Sequence, residues 1–278
     1  MFVLENVSYS YEENVALQGV TVTIERGESV CLLGPNGCGK STFLRLLCGV
    51  IAPDGGTYAF DGWSVTRKSL ADNKAAKAFH QRVGFVFQNS DTQLFCADVY
   101  EEVAFGPRQM GLGEDEVERR VTDCLRLLGL QDFARRSPYH LSGGEKRKTA
   151  IAAMLAMNPD ALVLDEPMNG LDPKTERWLA GFLLELHSAG KTLITSTHDL
   201  ELAQEISRRS ILFDGNHTIA ADLPTNLLMR DMSLLRRVNL VDRYYHQHRD
   251  GGHTHFHTHP LQRESPEISG DISDSEED

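Results

Sequence analysis

Apolar and polar positions alternate along residues 20–25 (VTVTIE), SVCLLG at 29–34 is a short apolar run, and TYAFDG at 57–62 closes on a turn. Residues 1–62 therefore read as rich in strands. Within them, residues 40–50 predict a helix ended by Pro53-Asp54-Gly55-Gly56. Residues 64–80 are polar, with Ala and Lys, and predict a surface insertion. RVGFVFQ at 82–88 predicts a buried strand. From about 91 to 141 the pattern turns helical, with a break expected at Gly106-Pro107. Apolar residues at 117, 121, 125 and 128 form an amphipathic stripe there. Alternation then resumes, with helices at 144–157, 174–188 and 199–206 and strands at 161–165, 191–196 and 210–214. That order predicts a mostly parallel sheet with helices on both faces. A short helical part is expected to about 245, and the rest reads as a low-complexity, disordered tail.

The chain has 278 residues, enough for one large domain or two small ones. No apolar stretch approaches the ~18 residues needed to span a bilayer, and the opening MFVLENVSYS lacks the basic flank and apolar core of a signal peptide. Net charge is −12 and uneven: residues 239–278 hold nine acids against three bases. Without a clustered basic run, nucleic acid is not expected as a partner. The five cysteines form no CxxC pair, which fits a reduced, cytosolic chain.

Chemistry concentrates at a few points. Gly34-Pro35-Asn36-Gly37-Cys38-Gly39-Lys40-Ser41 fits GxxxxGK[ST], followed by Thr42, between an apolar strand and a helix. Such a loop wraps backbone N–H groups around an anion at a helix N-terminus, which favours negative charge. Lys40 would reach the β- and γ-phosphates, and the Ser41 hydroxyl would ligate Mg²⁺. Val163-Leu164-Asp165-Glu166 ends an apolar strand in two carboxylates. Asp165 suits a Mg²⁺ held through water, and Glu166 suits a base that polarises the attacking water. In Leu141-Ser142-Gly143-Gly144-Glu145, Ser142 is a natural N-cap and the glycines expose N–H groups at a second positive helix end.

LSGGEKRK at 141–148 resembles the signature motif of the ATP-binding-cassette ATPases. The family's other motifs follow in order over residues 2–230, with Tyr11, Gln88, Gly170-Leu171-Asp172-Pro173 and Thr197-His198-Asp199 in the matching places. The resemblance implies an α/β P-loop NTPase over residues 1–238. It would hold a RecA-like, mostly parallel core, an N-terminal antiparallel β subdomain and a helical subdomain inserted at 91–145. It implies ATP and Mg²⁺ as cofactors. Tyr11 would stack on the base, Gln88 would sense Mg²⁺ and the membrane partner, and His198 would bind the γ-phosphate. Asp172 would link two protomers. Glu145 stands where the family often has Gln, and Asn169 where many members have Ser or Ala.

Two such chains, identical or sister ATPases, would pair head to tail, each trapping ATP against the other's Ser142–Gly144 helix end. Residues 87–95 and 103–107 resemble the energy-coupling-factor branch, whose ATPases power vitamin and transition-metal uptake. That resemblance implies a peripheral ATPase on the cytoplasmic face of the membrane, held by an integral coupling protein beside a substrate-binding membrane component. His246, His248, His253, His255, His257 and His259 suit Ni²⁺ or Co²⁺, and they favour a nickel or cobalt importer. The alternatives are a transporter for a vitamin or another ion, and a non-transport cassette ATPase acting on nucleic acid.

Overall fold

A computed structural model describes residues 1–241, 245–250 and 253–258, and the chain divides into two compact units, Met1–Val241 and Asp242–Asp278. The first unit opens with β1 (Phe2–Tyr11) and β2 (Asn14–Ile24), a hairpin whose second strand alternates buried and exposed positions. Then come β3 (Ser29–Leu33), α1 (Lys40–Leu47), β4 (Gly55–Phe60), β5 (Trp63–Ser64), α2 (Arg67–Ala71), α3 (Asn73–His80) and β6 (Val83–Val86). The middle of the chain holds α4 (Val99–Gln109), α5 (Glu114–Leu128) and α6 (Gly143–Leu155). Alternation follows through β7 (Ala161–Asp165), α7 (Pro173–Ser188), β8 (Thr192–Ser196), α8 (Leu200–Ile206), β9 (Arg209–Phe213) and β10 (Ile219–Pro224). The unit closes with α9 (Thr225–Leu228) and α10 (Met232–Arg237).

Strands β2-β1-β4-β5 form an antiparallel sheet. Strands β10-β9-β3-β8-β7-β6 form the central sheet, parallel except for β10. Every residue of β3, β7 and β8 is buried, as expected for parallel strands covered on both faces. One core joins the sheets through α1: Phe2, Leu4 and Phe60 pack with Phe43, Val163 and Phe213. Strands β3, β7 and β8 are neighbours, so their carboxyl ends bring the phosphate loop, Asp165-Glu166 and His198 to one edge of the sheet. Ligands of open α/β sheets bind at that edge.

Three expectations are corrected. Gly106-Pro107 does not break the helix, because α4 runs through both. Pro107 falls in the last turn, where it forgoes one i→i−4 bond, and its buried ring packs in return. Gly106 serves packing instead: a Cβ there would lie 2.7 Å from Met157 Cγ. Residues 64–80 are not simply a surface insertion, since Phe79 at the end of α3 is buried edge-on against Phe60, with ring centroids 5.1 Å apart. The tail is not wholly disordered. The second unit carries an antiparallel hairpin of β11 (Tyr245–Asp250) and β12 (His253–Thr258). The acidic segment from 259 onward lies outside the described residues. No described helix is long and apolar enough to cross a membrane.

Candidate functional site

The loop after β3 turns into α1 at Gly39, whose φ is 107°; a Cβ there would lie 2.4 Å from Ala16 O, so only glycine fits the turn. Lys40 is buried, and its Nζ donates to Gly34 O at 2.7 Å and Pro35 O at 3.2 Å. The loop's own carbonyls thus hold the ammonium over its centre. Around it lies a cavity of ≈ 570 Å³ lined by Asn36, Gly37, Gly39, Lys40, Ser41 and Thr42. Tyr11, Gln88, Glu166 and His198 line the same cavity. Of the loop, Gly34, Pro35 and Cys38 shape the turn without lining the cavity.

The second carboxylate pair is held by β8. Ser196 Oγ donates to Asp165 Oδ1 at 2.6 Å and accepts from Glu166 N at 2.9 Å. This bond fixes Glu166 at φ 43°, a backbone region that non-glycine residues rarely occupy and that often marks functional strain. His198 Nδ1 lies 2.9 Å from Glu166 Oε2, so Nδ1 carries the proton and donates to the carboxylate. Asp165 is buried behind Glu166, outside the cavity wall. Ser41 hydroxyl, Gln88 amide oxygen and Asp165 carboxylate are hard oxygen donors of the kind Mg²⁺ prefers, so the residues fit that ion.

The signature stands apart from this cavity. Ser142 caps α6 in a capping box: its amide donates to Glu145 Oε2 at 2.7 Å and its hydroxyl accepts from Glu145 N at 3.4 Å. Glu145 closes that box, a role that Gln would fill as well. Gly143 lines a smaller, adjoining cavity of ≈ 340 Å³ with Asp91 and Gly170, and Gln88 and Asn169 border both cavities. Gly144 abuts Thr175 of α7. Asp172 caps α7, accepting from Lys174 N, Thr175 N and Thr175 Oγ1, and the Thr175 bonds hold its carboxyl below the usual range. Ser142–Gly144 and Asp172 therefore do not reach the nucleotide cavity of their own chain.

Sequence reasoning missed five lining residues, Asn14, Val15, Ala16, Asn169 and His217. His217 is buried on Nδ1 with no protein partner and has φ 64°. It also missed Arg147, five residues past the cap, which is 4 % exposed. Its guanidinium donates to Phe87 O at 2.5 Å and Gln88 O at 2.6 Å. Burial pushes its pKa down, with the Asp165 carboxylate opposing that. Beside it, Lys146 pairs with Asp91 at 2.5 Å. The signature helix is thus tied directly to the Gln88 loop. Arg147→Met is expected to cost about 2–3 kcal/mol by leaving two carbonyls without their charged donor. Urea unfolding checks this, and an unchanged midpoint refutes it.

A phosphate loop, an apolar strand ending in two carboxylates and a histidine just past the neighbouring strand define a nucleotide-hydrolysing P-loop protein. The ABC transporter family profile matches residues 17–169, and the chain belongs to that family. It is 46% identical to the nickel import ATP-binding protein LarO of Lactiplantibacillus plantarum, over 80% of this chain and 92% of that one. It is 44% identical to the energy-coupling factor transporter ATP-binding protein EcfA of Methanothermobacter thermautotrophicus, over 86% of this chain and 76% of that one. Among solved structures it superposes on cbiO1 of Clostridium perfringens, part of the ABC transporter complex cbiONQ. There the TM-score is 0.74 and the identity 32%, over 86% of this chain and 94% of that one. It also superposes on the dimeric post-hydrolysis cassette MJ0796 bound to ADP and Pi, with a TM-score of 0.73 and 30% identity, over 81% of this chain and 99% of that one. The expected fold class is therefore correct. The chain binds ATP through its cassette domain, and it is a transport-coupled ATPase close to the nickel import and energy-coupling-factor ATPases.

Proposed function

We propose that this chain hydrolyses MgATP in a head-to-tail pair to drive nickel or cobalt uptake through membrane partners, at the cytoplasmic face. The separation of the two anion sites carries the pairing. The signature end at Ser142–Gly144 lies off the chain's own nucleotide cavity, so one chain supplies two half-sites. A second protomer, a copy or a sister ATPase, completes each with its own helix end, and Asp172 lies beside that junction. Water would attack the γ-phosphorus in line, the bond to the β-phosphate oxygen would break, and Glu166 would take the water proton. His198 orients Glu166 and faces the γ-phosphate, while Lys40 and the loop amides bind the phosphates. Tyr11 lies at the outer wall, where the base would stack. Ser41, Gln88 and, through water, Asp165 would hold Mg²⁺, which would supply charge neutralisation at the phosphates.

Coupling to a membrane partner is supported by a groove of ≈ 830 Å³ lined by Val50, Phe85, Phe87, Phe95, Phe105 and Met157. Phe95 is 66% exposed and packs edge-on against Phe105, with ring centroids 5.0 Å apart. An exposed aromatic cluster of this kind fits a cytoplasmic helix of the coupling protein. Phe87 and Gln88 are consecutive, and both are held by Arg147, so groove and nucleotide cavity share one loop. Phe95→Asp is expected to cut uptake more than tenfold, a hot-spot-sized loss, while the purified chain's basal ATPase stays within twofold. Uptake equal to wild type removes the groove from coupling.

Nickel and cobalt are supported by the likeness to the nickel import protein and by the histidine-rich segment. The test is radiolabelled Ni²⁺ and Co²⁺ accumulation in cells lacking the native gene. Restoration by the wild-type gene and not by Glu166→Gln is expected. Equal accumulation with both refutes the reading.

A further inference from the structure

The second unit carries chemistry that the ATP site does not use. Strand register places His246 opposite His257, His248 opposite His255, and Asp250 opposite His253. Residues directly opposite in an antiparallel pair share a face, and alternate residues on one strand share it too. All five histidines of the two strands therefore fall on one face of the ribbon. The other face takes Tyr245, Gln247 and Arg249 opposite Thr258, Phe256 and Thr254. A slip of one residue would set the histidines opposite Thr or Phe and destroy the arrangement.

We propose that His246, His248, His255 and His257 form a cross-strand site for one borderline divalent transition-metal cation, of the Ni²⁺, Co²⁺, Cu²⁺ and Zn²⁺ class. Opposed positions in such a pair stand roughly 4.5–5.5 Å apart at Cβ, and neutral imidazole is a ligand type that suits ions of this class. Among the residues whose side chains are described, no group of three or more His, Cys, Asp or Glu gathers to hold a metal. A two-stranded hairpin alone is marginal in water, so the ion supplies the ordering energy and binding is coupled to pairing of the strands. The site stands whether or not nickel or cobalt is the transported ion, because it concerns this chain's own affinity.

The test uses the full chain, purified without an affinity tag and titrated with NiCl₂ by calorimetry. Amide hydrogen exchange over residues 245–258 is followed in parallel. Saturable binding at one ion per chain is expected, with at least tenfold slower exchange in both strands. The deciding variant exchanges two neighbours, His255→Phe with Phe256→His. It keeps every histidine, yet in the observed register, or with the strands slipped by one, it leaves only one opposed pair. Ni²⁺ affinity is expected to fall at least tenfold while ATPase activity is unchanged. Affinity equal to wild type overturns the site, since a merely histidine-rich segment would bind both alike. Exchange unaffected by Ni²⁺ overturns it as well.

Discussion

Glu166→Gln lowers ATP turnover by a factor on the order of 10²–10³, within the range that general-base catalysis supplies, and leaves ATP affinity within about twofold. The substitution is nearly isosteric. The backbone amide at 166 still donates to Ser196 Oγ, and an amide oxygen still accepts from His198 Nδ1. Only the charge and the proton-accepting capacity go. Because Glu166 sits at the cavity edge and the phosphates are held by the loop after β3, binding is spared. With hydrolysis blocked and ATP bound, the two half-sites stay closed on each other, so ATP-dependent dimers accumulate in size-exclusion chromatography. Turnover within fivefold of wild type removes Glu166 as the base. Lost turnover together with lost ATP binding assigns it a structural role instead.

The phosphate loop was legible because its chemistry is local. Eight consecutive residues must form an anion-wrapping turn, and glycine with φ 107° at position 39 leaves a mark in the sequence. The carboxylate strand and His198 were legible for a related reason: buried parallel strands read as apolar runs, and the residues just past their carboxyl ends stand out. Arg147 was not. It bonds two backbone carbonyls about 60 positions away, and backbone acceptors carry no residue signature. Gly106-Pro107 misled because both residues usually punctuate a helix. Here one makes room for Met157 and the other buries its ring within the helix. Phe79 was hidden inside a polar stretch, where a single aromatic gives no period. The histidines of the last segment were visible one by one, but their common face depends on strand register, which pairing and the turn decide and composition does not. The apolar groove was anticipated only as a location near Gln88; its lining comes from five separate elements and short loops.

Lys40→Ala is expected to raise the Kd for MgATP at least a hundredfold. In the folded chain the ammonium donates to Gly34 O and Pro35 O. Two effects add. The phosphates lose a charge-assisted donor, worth about 1.5–3 kcal/mol for each such bond, and the buried loop carbonyls lose the partner that holds the loop in shape. Arg in its place does not restore binding, because a planar fork longer than the Lys side chain cannot sit where Lys40 is 7 % exposed under the loop. Titration of a fluorescent ATP analogue measures the shift. Circular dichroism and unfolding by urea separate loss of binding from loss of fold, since the core of Phe2, Phe43, Phe60 and Phe213 is untouched by the change. Unchanged affinity in a folded variant would break the assignment of this loop as the phosphate cradle. Compared with Glu166→Gln, the pair of variants divides the site into a binding half built on β3 and α1 and a hydrolytic half built on β7 and β8.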